Sequence, residues 1–286
     1  MLHTPLRRLR ASTAVCLACA SLAAATPALA ADETPEWTVP VSLSFVSDYI
    51  FRGQTQTWGK PALQFSVEAV HASGAYAGFF ASNVSDHWLP GAAVEMDFYG
   101  GYRGKIADTV GYDAGLIYYT YPGGNWTDST FAGYNRSNSL NTLEAYLALS
   151  YEWLTFKTGR QLTEYFGWST NNSPTNGGFF GDASAGVTGS TRGAHFAELN
   201  AAYDVAEGWN LSGQIGRQYI PNTTGLNISY YKVGLTRALP DGWSAGAFFS
   251  ATSEPKAYDS YYSLSNGTSK HDIAKEKFFV SISKAF

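Results

Sequence analysis

Glu95 and Asp97 stand two residues apart in the run "VEMDFYGGYR". Paired carboxylates are the working groups of glycoside hydrolysis and common ligands of calcium. In an extended chain, residues two apart point to the same side. The two acids would then sit next to each other on one wall and would not flank a substrate. After residue 30 the chain has four histidines: His71, His87, His195 and His271. Nucleophilic catalysis needs a base beside a Ser, Cys or Thr and a third group to orient it. None of the four has a recognisable serine partner, and a histidine in a loop is ordinarily just solvated. The "NGG" and "PGG" triplets are too short to cradle a phosphate and read as turns. The expectation is no catalytic residue, no metal site and no cofactor.

Other charges recur at a different kind of spacing. In "WTVPVSLSFVSDYIF", Trp37, Val39, Val41, Leu43, Phe45, Tyr49 and Phe51 share one parity, while Thr38, Ser42, Ser44, Asp48 and then Arg52 share the other. Side chains alternate faces along a strand, so this pattern gives one apolar and one polar face. "LQFSVEA" sets Leu63, Phe65 and Val67 against Gln64, Ser66 and Glu68. Similarly, "VGYDAGLIYY", "LEAYLALSYEW", "HFAELNAAYD" and "WNLSGQIG" oppose apolar residues to Asp113, Glu144, Glu198 and Gln214. Twelve such segments are predicted, near 37–51, 61–71, 75–84, 93–103, 110–121, 142–152, 154–165, 193–204, 209–219, 228–237, 243–252 and 275–286. Short turns join alternate pairs, and long loops near 122–141, 166–192 and 253–274 join others. Turns at one end and loops at the other is the arrangement of an outer-membrane barrel, with both termini on the turn side, in the periplasm. The fold class is therefore all-β: a closed antiparallel transmembrane barrel of twelve strands. A secreted β-sandwich is the competing architecture, but its strands would be shorter and its connections less unequal.

The bulk numbers agree. Arg7, Arg8 and Arg10, an apolar stretch from Ala11 to Ala25, and Ala28-Leu29-Ala30 read as a secretory signal peptide over residues 1–30, leaving 31–286 as the barrel domain. Both cysteines, Cys16 and Cys19, fall in that leader, so no disulfide framework is available. The net charge of −4 becomes −7 once the three leader arginines are removed, which argues against a nucleic-acid partner. No later apolar run approaches the ~18 residues of a transmembrane helix. Trp37, Trp153, Trp209 and Trp243 fall at turn-side ends and Trp58, Trp88, Trp126 and Trp168 on the loop side, as two interfacial girdles would require.

The chain ends on "KFFVSISKAF", with Phe278, Val280, Ile282 and Phe286 on one face. A last strand of this kind resembles the signal read by the bacterial outer-membrane assembly machinery. It must also pair with the first strand, since an open edge in hydrocarbon leaves backbone groups unsatisfied. Lys284 sits on the apolar face near the turn-side boundary, where it can snorkel.

The stretches "SDYIFRGQTQTWGKPALQ", "EMDFYGGYRG", "YDAGLIYYTYPGG" and "LEAYLALSYEW" together resemble the TorF-family porins of proteobacteria. The likeness is densest at Ser47-Asp48-Tyr49, Phe51-Arg52-Gly53 and Tyr121-Pro122-Gly123. It implies an outer-membrane barrel with a passive transport role and no settled substrate. Gln54, the "FSVEA" after Gln64 and the loop at 166–192 depart from the family's commonest wording.

On this reading the lumen is lined by Asp48, Arg52, Glu68, Glu95, Asp97, Arg103, Asp113, Glu144, Lys157, Glu198 and Lys232. Seven acids against four bases would concentrate cations. The other reading of these charges is a structural network that narrows or plugs the bore. The function expected is passive diffusion of small hydrophilic solutes in the outer membrane of a Gram-negative bacterium. Its partners would be outer-membrane lipids, the assembly machinery and periplasmic chaperones. The alternatives are a non-conducting barrel that displays its loops for binding, and a membrane-embedded lipid hydrolase. The loops 122–141 and 166–192 are read as folding inward to gate the bore.

Overall fold

The computed structural model describes residues 35–131, 139–253 and 256–286. The leader and parts of two predicted loops lie outside them. Twelve strands form the wall: β1 (Val41–Val46), β2 (Ala62–His71), β3 (Ala75–Asn83), β4 (Val94–Ala107), β5 (Val110–Thr120), β6 (Thr142–Tyr151), β7 (Leu154–Gln161), β8 (His195–Ala206), β9 (Trp209–Tyr219), β10 (Ile228–Ala238), β11 (Trp243–Ser253) and β12 (Lys277–Ala285). Each pairs antiparallel with its sequence neighbours, and β12 pairs with β1 to close the cylinder, Ile282 opposite Phe45 and Lys284 opposite Leu43. The Phe286 amide donates to the Val41 carbonyl at 3.0 Å, extending the closure to the last residue. Closure removes both sheet edges. No helix among the described residues is long and apolar enough to cross a membrane, which says nothing of a barrel.

Parity decides which way each side chain points. Phe45, Leu63, Phe98, Leu116, Leu147, Phe156, Leu199, Ile215, Val233, Phe249 and Val280 are exposed on the outside, so every strand from β1 to β12 contributes apart from β3, whose Phe79 is half-buried there between Phe65 and Phe98. Ser44, Gln64, Ser82, Glu95, Glu144, Asn200, Gln218, Ser250 and Ser283 are buried on the inside. This is the reverse of a water-soluble domain, where large contiguous apolar surface is rare. Turn-side Trp37, Trp153, Trp209 and Trp243 are exposed at the foot of the wall. Arg237 and Lys284 lie beside the Trp209 and Trp243 rings, at 5.3 and 5.6 Å.

Two expectations are corrected here. The first segment is not one strand from 37 to 51. It divides into Trp37–Thr38 and Val41–Val46, with Pro40, which has no N–H to donate, between them. The chain then leaves the wall, and Ile50–Phe51 pairs with Gln54–Thr55 in a small hairpin. Tyr49 and Phe51, expected on the lipid face by parity, are buried inside. The second correction concerns the loop-side tryptophans. Trp126 and Trp168 are almost fully buried, and Trp58 and Trp88 pack against the same core, so they form no outer girdle. Long connections at this end fold over the mouth, and their apolar side chains need somewhere dry. Phe179, Phe180, Leu226, Tyr258, Tyr261, Leu264 and Ile273 join Trp126 and Trp168 in an apolar core that caps the barrel and runs on into the interior through Phe51 and Tyr49.

Candidate functional site

The hairpin is the centre of the interior. Its turn is Arg52-Gly53, both with positive φ (45° and 81°). Such a turn matches the twist of a two-residue hairpin and favours glycine at the second position. Gly53 is also held close to the wall, since a Cβ there would meet Thr252 Cγ2 at 2.5 Å and Tyr230 Cβ at 2.9 Å. The hairpin thus reaches from its root between β1 and β2 to the opposite wall.

Arg52 fastens it there. Its Nη2 donates to both Glu144 carboxylate oxygens, at 2.9 and 3.0 Å, and its Nη1 donates to Gln218 Oε1 at 2.8 Å. The guanidinium lies 3.7 Å from the Phe196 ring centre and 4.7 Å from that of Phe51. Gln161 Nε2 donates to Glu144 at 2.9 Å. Three strands, β6, β8 and β9, therefore supply partners to one side chain on the hairpin tip, and β7 braces the carboxylate that holds it. A bidentate guanidinium–carboxylate pair is among the stronger charge-assisted contacts. At the hairpin root, the Thr55 and Thr57 hydroxyls donate to Asp48 Oδ1, at 2.5 and 3.0 Å, and Lys277 Nζ lies 3.9 Å from Oδ2.

The remaining predicted site residues are dispersed over the inner wall. Glu95 and Asp97 are buried on β4, and Tyr49 on the hairpin side donates to Glu95 at 2.7 Å. Arg103 pairs with Glu68 at 2.8 Å and stacks 3.8 Å from the Tyr76 ring. The Tyr76 hydroxyl donates to Asp113 and contacts the Tyr146 hydroxyl. Lys157 lies 4.4 Å from the Tyr146 ring and stands opposite Glu198, which accepts from Tyr230 at 2.8 Å and from Asn200 at 3.1 Å. Lys232 is half-buried on β10, opposite Gln214. Phe278, Val280, Ile282 and Phe286 are exposed on the outside. Asp48 and Arg52 do not share a strand face, because the strand ends before them.

Sequence reasoning missed the tyrosines and glutamines. Tyr49, Tyr76, Tyr146, Tyr230 and Gln218 connect the charges, yet by composition they look like generic strand residues. Inward glycines were the available signal. Gly216 stands where a Cβ would meet the Tyr230 ring at 2.3 Å, so the ring lies flat along the wall. A small cavity remains on the cap side, lined by Phe51, Gln54, Gln56, Trp88, Trp126, Tyr165 and Trp168, with about 20 Å³ of room for water centres. That suffices for a water or two.

The four histidines occupy three settings, and one of them, His87, does have serine neighbours, which the sequence did not reveal because they lie far along the chain. His71 contacts Ser73 and Glu36 at a turn, and His195 stacks on Tyr219. His87 and His271 flank the Trp58 ring, at 5.3 and 5.2 Å between ring centres. His87 Nδ1 also contacts the Ser263 and Ser265 hydroxyls, at 2.7 and 3.0 Å, within loops and without an orienting third group beyond Asp86 at 4.0 Å. The formal Gly-x-Ser-x-Gly string at 242–246 is a turn running into β11, with Ser244 paired in register to Ala238 and Ser283. Among the described residues no group of three His, Cys, Asp or Glu is placed to hold a metal.

One family model, described as a bacterial protein of unknown function (Gcw_chp), matches residues 30–286. No curated protein matches the chain. Solved structures of similar shape include the KdgM porin (8% identity, TM-score 0.48, 86% of this chain and 99% of that one). The NanC porin is similar at 10% identity and TM-score 0.47, over 86% and 99% of the two chains. An outer membrane channel from Pseudomonas putida F1 is similar at 12% identity and TM-score 0.40, over 88% and 97%. At these values the likenesses carry no argument about activity.

Proposed function

The chain belongs to the Gcw_chp family, and we propose that it is a porin-like channel of the bacterial outer membrane whose bore is held shut by its own inward hairpin. The observation that carries this reading is the inverted wall: apolar side chains exposed around the outside, ionisable and amide side chains buried within. Lipid on the outside and a polar pathway inside satisfy both faces. The solutes are small and hydrophilic, since twelve strands leave a bore between the filled eight-stranded barrels and the open porins. The leader, 1–30, is removed on export, and the termini face the periplasm. The last strand is read by the assembly machinery and escorted by periplasmic chaperones. The resemblance to the TorF-family porins belongs to the same reading, and no chemical step is assigned to any residue.

Cation preference is the finer part of the proposal. Glu144, Glu68 and Asp48 are paired with Arg52, Arg103 and Lys277, while Glu95, Asp97, Asp113 and Glu198 have no paired base among the described residues, and of these Glu95 and Asp97 stand side by side on β4. Solute-flux assays in proteoliposomes test the channel, and reversal potentials test its selectivity. In the opened Arg52→Ala background, Glu95→Gln and Asp97→Asn lower the cation preference on this account, and unchanged selectivity in both removes those residues from the pathway. A second reading, a non-conducting barrel that presents its loops for binding, is favoured by the dry aromatic cap over the mouth. It gains if the protein inserts into lipid but passes no solute under any condition.

A further inference from the structure

Arg160 and Arg217 are the two cations that face outward in the loop-side half of the barrel strands, among the described residues. Both are exposed, and neither forms an ion pair there. The register places Arg160 level with His195 and Tyr219, and Arg217 level with Ala197. The two arginines are two strands and two residues apart, or about 12 Å between Cα atoms. The small side chain of Ala197 lies between them and leaves a notch. On one side, the Arg160 guanidinium lies over Gly193, where a Cβ would come within 2.9 Å of Nη2. On the other, Arg217 Nη1 donates to Ser229 Oγ at 3.0 Å. Exposed Arg192 adds charge from the adjoining loop. The acid nearest in that loop, Glu164, is occupied by the Ser190 and Thr191 hydroxyls and the Thr191 amide.

Height along the wall says what meets this notch. From Trp209 at the turn-side rim to Arg217 is eight residues, about 26 Å along the strand, or about 20 Å once strand tilt is allowed for. That nearly spans the apolar band of an outer-membrane barrel. Phe156, Leu199 and Ile215 fill the interval just below, all exposed. Basic side chains at such a boundary attract anionic lipid. We infer that Arg160, Arg217 and His195 form a docking site for the phosphate of an anionic lipid headgroup, with its acyl chains lying on Phe156, Leu199 and Ile215. The guanidiniums' free N–H groups suit phosphate oxygens. The inference rests on the membrane reading of the wall.

The test uses the full-length folded protein in phosphatidylcholine vesicles, with and without a diphosphoryl glycolipid. The glycolipid raises the thermal unfolding temperature of the native protein. The variant Arg160→Gln/Arg217→Gln still inserts and melts as the native protein does in phosphatidylcholine alone, but its apparent affinity for the glycolipid falls about thirtyfold. Lys105→Gln, at the turn side, keeps the full response. An equal response from the double variant overturns the site. A response to inorganic phosphate alone overturns the lipid assignment. Failure of both proteins to enter phosphatidylcholine vesicles overturns the membrane reading and this inference with it, whereas insertion without a glycolipid response overturns the inference alone.

Discussion

Arg52 is the residue on which the interior depends. A guanidinium taken out of water is costly unless its N–H groups and charge are answered, and removing one partner of a buried pair costs about 3–5 kcal/mol. Glu144→Ala should therefore destabilise the folded barrel more than Glu95→Gln does, by a margin thermal unfolding in detergent resolves. Replacing Arg52 and Glu144 together with apolar residues of similar volume should recover much of the loss, as coupling through one contact requires. A second titratable feature sits in the cap. His271 lies between Trp58 and Lys277, and burial first, then the Lys277 charge, holds its pKa below the usual histidine value, against the opposing pull of Asp272. With the folded value depressed, the neutral form fits the closed cap. As pH falls through about 6.5 the opened cap gains protons that the closed one resists, so closure weakens on acidification. Hydrogen exchange in residues 256–276 should quicken at acid pH in the native protein and much less in His271→Gln. Equal acid responses would assign the effect elsewhere.

At the scale of elements, the hairpin is a strand that the sequence pattern over-extended. The alternation through Phe45 does continue to Tyr49 and Phe51, and parity alone carried both onto the lipid face. The signal against continuation was local: Gly53 after Arg52, a pair whose positive φ values make a turn. The other strands were legible because each presents its own two-residue period to two different solvents, and a slip by one residue would put carboxylates in the outward face. The inner network was not legible, because a tyrosine reads the same whether its hydroxyl meets water or an aspartate across the bore. The cap was illegible for a related reason. Trp126 and Trp168 lie in polar loops, and only their tertiary contacts with each other and with Phe179 and Phe180 distinguish a buried core from an interfacial girdle. The hairpin's dependence on Gly53 is directly checkable. Gly53→Ala places a side chain at φ 81° against Thr252 and Tyr230. It should loosen the hairpin by about 1–3 kcal/mol without unpairing the wall. Limited proteolysis between residues 47 and 60 would rise while heat-modifiable barrel migration stays native.

For the whole molecule, wall and plug have different duties. The wall is held by twelve antiparallel pairings in one closed ladder, and it would survive the hairpin's release. The plug is held by the bidentate Arg52–Glu144 pair, the Gln218 amide, the Phe196 ring, the Tyr49–Glu95 hydrogen bond, backbone hydrogen bonds to Ile273 and Ser85, and the Asp48 cluster at its root. That asymmetry is what a gated bore requires: a rigid frame around an element of lower local stability. Planar-bilayer recording of the native protein beside Arg52→Ala is the most direct test. The account predicts that both insert, that the native protein is largely silent, and that the variant shows discrete conductance steps favouring cations. A variant that is folded and inserted by heat-modifiability, yet as silent as the native protein, would contradict it.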